Sequence, residues 1–233
     1  MTATIALVTS LTNRYGCDIL RGAAQAARGW GWRFRHLPRP RRTGRPFPWP
    51  VDGAMGMYSA DEVERITAFG IPVVNLRPGL TDLFINEPAV GACAAAHFIE
   101  RGLLQLAGGT TWYMGRGNAE RVDGFIAAAT RAGLPIAVMP TPRLPPARLC
   151  RAIASWLRRQ PLPFGLFCAN DHLAEITLRA CLAAGLRVPE DVALVGADND
   201  EILCELAAVP ISSVALPHEP LGAAAAVRLR ELM

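Results

Sequence analysis

The stretch 164–199 limits the possible folds more than any other part of the chain. Residues 164–169, FGLFCA, form an apolar run of the length and composition of a strand buried on both faces. Asn170 and Asp171 interrupt it with two polar side chains. A helical pattern follows, with Leu173, Ile176, Ala180, Cys181 and Ala184 on one face at spacings of three and four. Gly185 stops that helix, because a residue without Cβ enters a left-handed C-cap at no steric cost. Pro189, Glu190 and Asp191 turn the chain into a second apolar run, 192–195, which ends in Gly196, Ala197, Asp198 and Asn199. A strand–helix–strand unit of this kind needs parallel strands and a right-handed crossover. Its polar groups lie at the carboxyl ends of both strands, the edge at which open α/β sheets bind ligands.

The rest of the chain alternates in the same way. Strands are predicted at 4–9, 53–57, 71–76, 83–85, 103–107 and 136–139. The first helix has Leu20, Ala23, Ala24 and Ala27 on one face. Later helices follow Ala60, Asn86, Asn118 and Pro146, and a last one covers 219–233. Pro88 suits a first helical turn, where its missing N–H costs nothing. In that helix Val90, Cys93, Ala94, His97 and Phe98 are expected inward, which makes His97 a satisfied core histidine rather than a catalytic one. The stretch 33–50, dense in proline and arginine, reads as a stiff exposed connection rather than a packed element. No repeat of short fixed period appears, so the pattern is that of an α/β chain.

Composition excludes several classes. The net charge is +4, and all 24 basic residues are arginine. Much of the excess falls in 33–45, a run that reads as a solvated loop rather than a nucleic-acid face. The cysteines are Cys17, Cys93, Cys150, Cys168, Cys181 and Cys204. None forms a C-x-x-C pair or stands at metal-ligand spacing from a histidine, so neither a metal nor any other cofactor is expected. Unpaired thiols suit a reducing cytosol. No apolar run is long enough to cross a membrane, and no leader precedes residue 4, so a cytoplasmic protein without a membrane partner is expected. The chain also lacks G-x-G-x-x-G, a P-loop and G-x-S-x-G. The G-R-G at 115–117, beside Trp112 and Tyr113, is too short for a phosphate cradle.

The wording "CANDHLA…GLRVPEDVALVGADN", followed by "VPISSVALPHEPLGAAAAVRL", closely resembles the effector-binding domain of LacI/GalR transcription regulators. Within that group it is most similar to the sensor half of xylose-operon regulators, which precedes an AraC-type DNA-binding segment. "YGCDILRGAAQAAR", "FGIPVVNL" and the R-x-x-G-F at 121–125 resemble the same family more loosely. The resemblance implies a periplasmic-binding-protein-like fold of type I: two doubly wound parallel-sheet α/β lobes with an interlobe ligand cleft. On that basis 1–106 plus 209–233 would form the first lobe and 107–208 the second. The chain would pass between lobes near 104–108 and return near 211–214.

The same resemblance nominates five ligand-binding residues: Tyr15, Asn86, Arg121, Asn170 and Asp198. Tyr15 could equally staple a helix entry against Ile19. Asn86 stands where xylose-type sensors carry an aspartate; it keeps an acceptor oxygen, loses the charge and gains two donors. Arg121 would hold hydroxyls or a carboxylate through its planar donor fork. Of Asn170 and Asp171, Asp171 is expected to cap the helix, which leaves Asn170 to reach the ligand. Asp198 would accept from hydroxyls at a strand end.

The expected function is the effector-sensing domain of a bacterial transcription regulator that binds a small, xylose-like sugar. The alternatives are an exported solute-binding protein and, with less support, an α/β enzyme; catalytic residues are not expected. Neither a helix-turn-helix before residue 4 nor an AraC-type segment after residue 233 is present in the sequence. DNA contact would therefore need a segment outside this chain, and the intact regulator would be a homodimer. The chain reads as a fragment ending inside its last helix, with lower stability and affinity than a longer form.

Overall fold

The structure, a computed structural model, describes residues 2–11, 13–77, 83–110 and 116–233. Trp112, Tyr113 and Gly115, singled out in the sequence, lie outside the described residues. The chain packs as two units, one of Met1–Ile85 with Pro217–Met233 and the other of Asn86–Leu216.

The first unit is built on a four-stranded parallel sheet in the order β2-β1-β3-β4. Its strands are β1 (Ala3–Val8), β2 (Trp32–Leu37), β3 (Gly53–Gly56) and β4 (Val73–Asn75). Helices α1 (Arg14–Ala26) and α8 (His218–Leu232) pack together, and α2 (Ala60–Thr67) is held by a Ser59–Glu62 capping box. The inward face of α1 is Ile19, Gly22 and Ala23; Ala24, expected inward, is exposed.

β2 departs from the expected exposed connection. Residues 32–37 read W-R-F-R-H-L, and the half-buried Trp32, Phe34 and Leu37 are separated by exposed Arg33, Arg35 and His36. That near-alternation is an edge-strand signal, which the density of arginine and proline obscures. Phe47, in the loop that follows, is only 2% exposed and joins the cluster of Ala6, Val8, Ala54, Tyr58 and Ile66. The segment is therefore part of the core as well as a connection.

The second unit carries a five-stranded parallel sheet in the order β6-β5-β7-β8-β9. Its strands are β5 (Leu106–Gly109), β6 (Ile136–Val138), β7 (Phe164–Cys168), β8 (Val192–Ala197) and β9 (Ser212–Val214). Helices α3 (Glu87–Glu100) and α4 (Arg116–Arg131) pack against each other, as do α5 (Pro146–Leu157) and α6 (Asp171–Ala184). A short α7 (Glu201–Glu205) follows β8. The unit expected from 164–199 is present as β7–α6–β8, with Gly185 at φ 78° as the C-cap. Phe125 stacks on Phe167 at 5.1 Å and meets Phe98 edge-on at 6.1 Å.

The packing units divide elsewhere than at the expected 106/107 and 208/209. α3 belongs with the second unit because two glycines let it approach α4 closely. A Cβ on Gly91 would lie 1.8 Å from the Arg121 carbonyl oxygen, and one on Gly124 would lie 2.1 Å from that of Pro88. β9 likewise pairs with β8. Two local expectations also change. Residues 83–85 form no strand, and in α3 Cys93 is exposed while His97 is half-buried, its pKa lowered chiefly by burial and then by Arg101.

The described residues contain no helix long and apolar enough to cross a membrane and no cluster suited to a metal ion. All six cysteines are free thiols.

Candidate functional site

Both sheets have the strand order in which ligands bind where the winding reverses: between β1 and β3 in the first unit, and between β5 and β7 in the second. Polar side chains gather at the carboxyl end of each.

In the second unit the centre is Arg121, 4% exposed on α4. Its Nε donates to a Glu87 carboxylate oxygen at 2.5 Å, and its Nη1 donates to Asp198 and to the Ala169 carbonyl, each at 2.8 Å. Among the described residues none accepts from Nη2. Burial disfavours the guanidinium charge, but Asp198 and Glu87 outweigh it and hold the pKa above its ordinary value.

Asp198 and Asn199 take φ values of 103° and 52°, which non-glycine residues rarely adopt. Their neighbours hold that conformation in place. The Asp198 amide donates to the Val214 carbonyl, and the Asn199 amide donates to the Ser213 hydroxyl at 3.0 Å. The buried Asp171 carboxylate accepts from that hydroxyl and from the Asp200 amide, both at 2.7 Å. Gly196 makes room for it, since a Cβ there would lie 2.1 Å from the Asp171 carboxylate.

Asp171 is thus the anchor of the β8 loop, and the helix cap is Asn170. Its Oδ1 accepts from the Leu173 amide at 2.9 Å, the reverse of the expected division of labour. The reason is geometric: Asn170 has the extended backbone of an N-cap, whereas Asp171 already lies within the helix, facing β8. The Asn170 amide nitrogen donates to Asn118 Oδ1 at 2.7 Å and retains a second N–H. Asn86 caps α3, accepting from the Ala89 amide, and is exposed.

Asn86, Arg121, Asn170 and Asp198 therefore fall in one unit, with Arg121 bonded directly to Asp198. Tyr15 lies in the other. It lines a pocket of about 680 Å³ together with Val8, Thr9, Ser10, Asn13 and Met57, and its ring meets His218 edge-on at 5.0 Å. Sequence reading missed Glu87, Asn118 and Ser213. Glu87 carried a weak signal, an acid in the first turn directly after a capping asparagine; for the other two nothing local marks the role.

Burial pushes the Asp198 carboxyl up to about 6 against the opposing pull of Arg121, and burial also raises Asp171. A carboxyl raised in the folded state contributes stability that is fully present below its unfolded pKa and is lost as pH rises through the folded value. Stability should therefore fall between about pH 4 and 6, by roughly 3 kcal/mol from Asp198. Urea unfolding across that range should show the slope, and Asp198→Asn should flatten it; an unchanged slope in the variant would assign it to other groups.

Residues 95–233 match the model of the periplasmic binding protein-like domain. The HTH-type transcriptional regulator DegA of Bacillus subtilis is 30% identical over 74% of this chain and 55% of its own length, so the chain spans about half of that relative. A LacI family transcriptional regulator from Enterococcus faecium, solved with bound ribose, superposes with a TM-score of 0.78 at 22% identity, over 98% of this chain and 89% of that one. The xylose-binding transcription activator XylR superposes with a TM-score of 0.81 at 20% identity, over all of this chain and 63% of the other. At those identities the two structures speak for the fold.

Proposed function

Because the chain belongs to the periplasmic binding protein-like domain family, with LacI-family transcription regulators among its relatives, we propose that it senses a small sugar-like effector for a bacterial regulator. The observation that carries this reading is the Arg121–Asp198 pair at the carboxyl edge of the second sheet, with Nη2 of Arg121 bonded to no described group. A sugar hydroxyl donates and accepts at once. Asp198 would accept from two neighbouring hydroxyls, while Nη2 would donate to one of them. Asn170 and Asn86 would add their remaining N–H groups, and Tyr15 would serve the first unit's pocket. The strained β8 loop keeps Asp198 in position before the ligand arrives, which lowers the ordering cost of binding. Bound ribose in one fold neighbour, and the xylose binding named for another, make aldopentoses the first ligands to try. DNA contact would be made by a segment other than this domain, in the cytoplasm and as a homodimer.

Titration calorimetry with ribose and xylose tests the reading. Saturable one-to-one binding is expected for at least one, and Asp198→Asn should weaken it by about 1.5–3 kcal/mol. That is roughly a 10- to 150-fold loss of affinity. Heats that never saturate with either sugar, or an unaffected variant, would overturn the assignment.

A further inference from the structure

The pocket of the first unit carries a charge pattern that a neutral sugar does not require. Four arginines line it: Arg39 and Arg42 from the loop after β2, Arg65 from α2 and Arg77 from beyond β4. Among the described residues none of the four is in an ion pair.

Two carboxylates, Asp61 and Glu62, also line the pocket. Glu62 is committed, since its oxygen accepts from the Ser59 amide at 2.8 Å in the capping box of α2. Asp61 is exposed in the first turn of that helix, where its charge already complements the helix dipole. The lining therefore carries four positive and two negative groups, a net of +2. A concave site with a net positive charge draws counter-charge into it. Arginine is the side chain whose planar fork matches carboxylate and phosphate oxygens in pairs.

Two of the four are restrained locally. Arg39 stands between Pro38 and Pro40, which restrict the backbone on both sides of it. The Arg41 amide donates to the Pro46 carbonyl at 2.8 Å and closes the loop, and the Arg65 guanidinium donates to the Arg41 carbonyl. The loop that carries Arg39 and Arg42 and the Arg65 side chain are thus tied to each other before any ligand arrives.

We propose that the effector taken by this pocket is an anionic sugar derivative, a polyol carrying a carboxylate or a phosphate. This rests on the effector-sensing reading and narrows it to a charge class.

Titration calorimetry on the full 233-residue chain with ribose, ribonate, ribose 5-phosphate and inorganic phosphate, at low and at physiological salt, separates the possibilities. At least one anionic sugar should bind about tenfold more tightly than ribose, with an advantage that shrinks as salt rises. Which of ribonate and ribose 5-phosphate holds the advantage decides between carboxylate and phosphate. An Arg39→Gln/Arg77→Gln double variant should lose most of the advantage. A charge-matched Arg28→Gln/Arg33→Gln variant, altered at exposed positions outside the pocket, should keep it. Ribose binding as tightly as both anionic forms would overturn the charge assignment and leave the sensor reading standing. Inorganic phosphate binding as tightly as ribose 5-phosphate would also overturn it, because the sugar would then contribute nothing. Failure of every sugar to bind would remove both readings.

Discussion

Replacing Arg121 with methionine is expected to lower folding stability by about 3–5 kcal/mol, the usual cost of removing one partner from a buried ion pair. Arg121 is nearly fully buried and lies between Glu87, 8% exposed, and Asp198, whose side chain is 27% exposed. Methionine fills similar space but leaves two carboxylates facing each other without the positive charge. The Ala169 carbonyl also loses its donor. Adding Glu87→Gln and Asp198→Asn to the variant should recover more than half of the loss, because the uncompensated charge, rather than the missing bonds, dominates the cost. Urea denaturation of the single and triple variants measures both. A single variant within about 1 kcal/mol of the unaltered chain would mean that the cluster contributes little to folding.

A comparable loss is expected from Gly91→Val, for a steric rather than an electrostatic reason. The obstacle is backbone: the Arg121 carbonyl oxygen at 1.8 Å and the Phe125 amide nitrogen at 2.6 Å from the added Cβ. Helix α3 cannot turn a flexible side chain aside, so α3 and α4 must separate. Overpacking of this kind costs about 3 kcal/mol or more when no side chain can move. Because the displaced turn carries Arg121, affinity for a bound sugar should fall together with stability. Ala96→Val, at an exposed position on the same helix, is the control, and should cost only the roughly 0.5 kcal/mol of helix propensity. Equal midpoints for the two variants would contradict the close-packed crossing.

Gly22 and Gly222 play the corresponding part in the first unit. Cβ atoms there would lie 1.9 Å from the Glu219 carbonyl oxygen and 2.1 Å from that of Ile19, so α1 and α8 cross at similarly close range. Such pairs explain why the division of the chain was hard to read. Periodicity says which face of a helix is apolar, but not which other helix comes near enough to need a glycine. α3 was accordingly expected with the first lobe and packs in the second unit.

Where local pattern and tertiary demand agree, the fold was legible. The β7–α6–β8 unit follows from an apolar run, a helical face, a C-cap glycine and a second run, and all four features are present. β2 was obscured because its alternation is interleaved with arginines that suit an edge strand but resemble a loop when counted as composition. The site divides in the same way. Asp198 and Arg121 could be nominated because each stands in a recognisable string. Glu87 and Ser213 could not, because their roles exist only through partners 34 and 42 residues away. The arginine-lined pocket was invisible for a related reason. Arg39 and Arg42 read as one basic run, and their convergence with Arg65 and Arg77 depends on the sheet.

The most direct test of the sensor reading is a crystal structure of the chain grown with its tightest-binding sugar. Ligand density is expected within hydrogen-bonding distance of the Asp198 carboxylate and Arg121 Nη2, at the carboxyl ends of β7 and β8. Density away from the carboxyl edges of both sheets, or empty strand edges under saturating sugar, would contradict it.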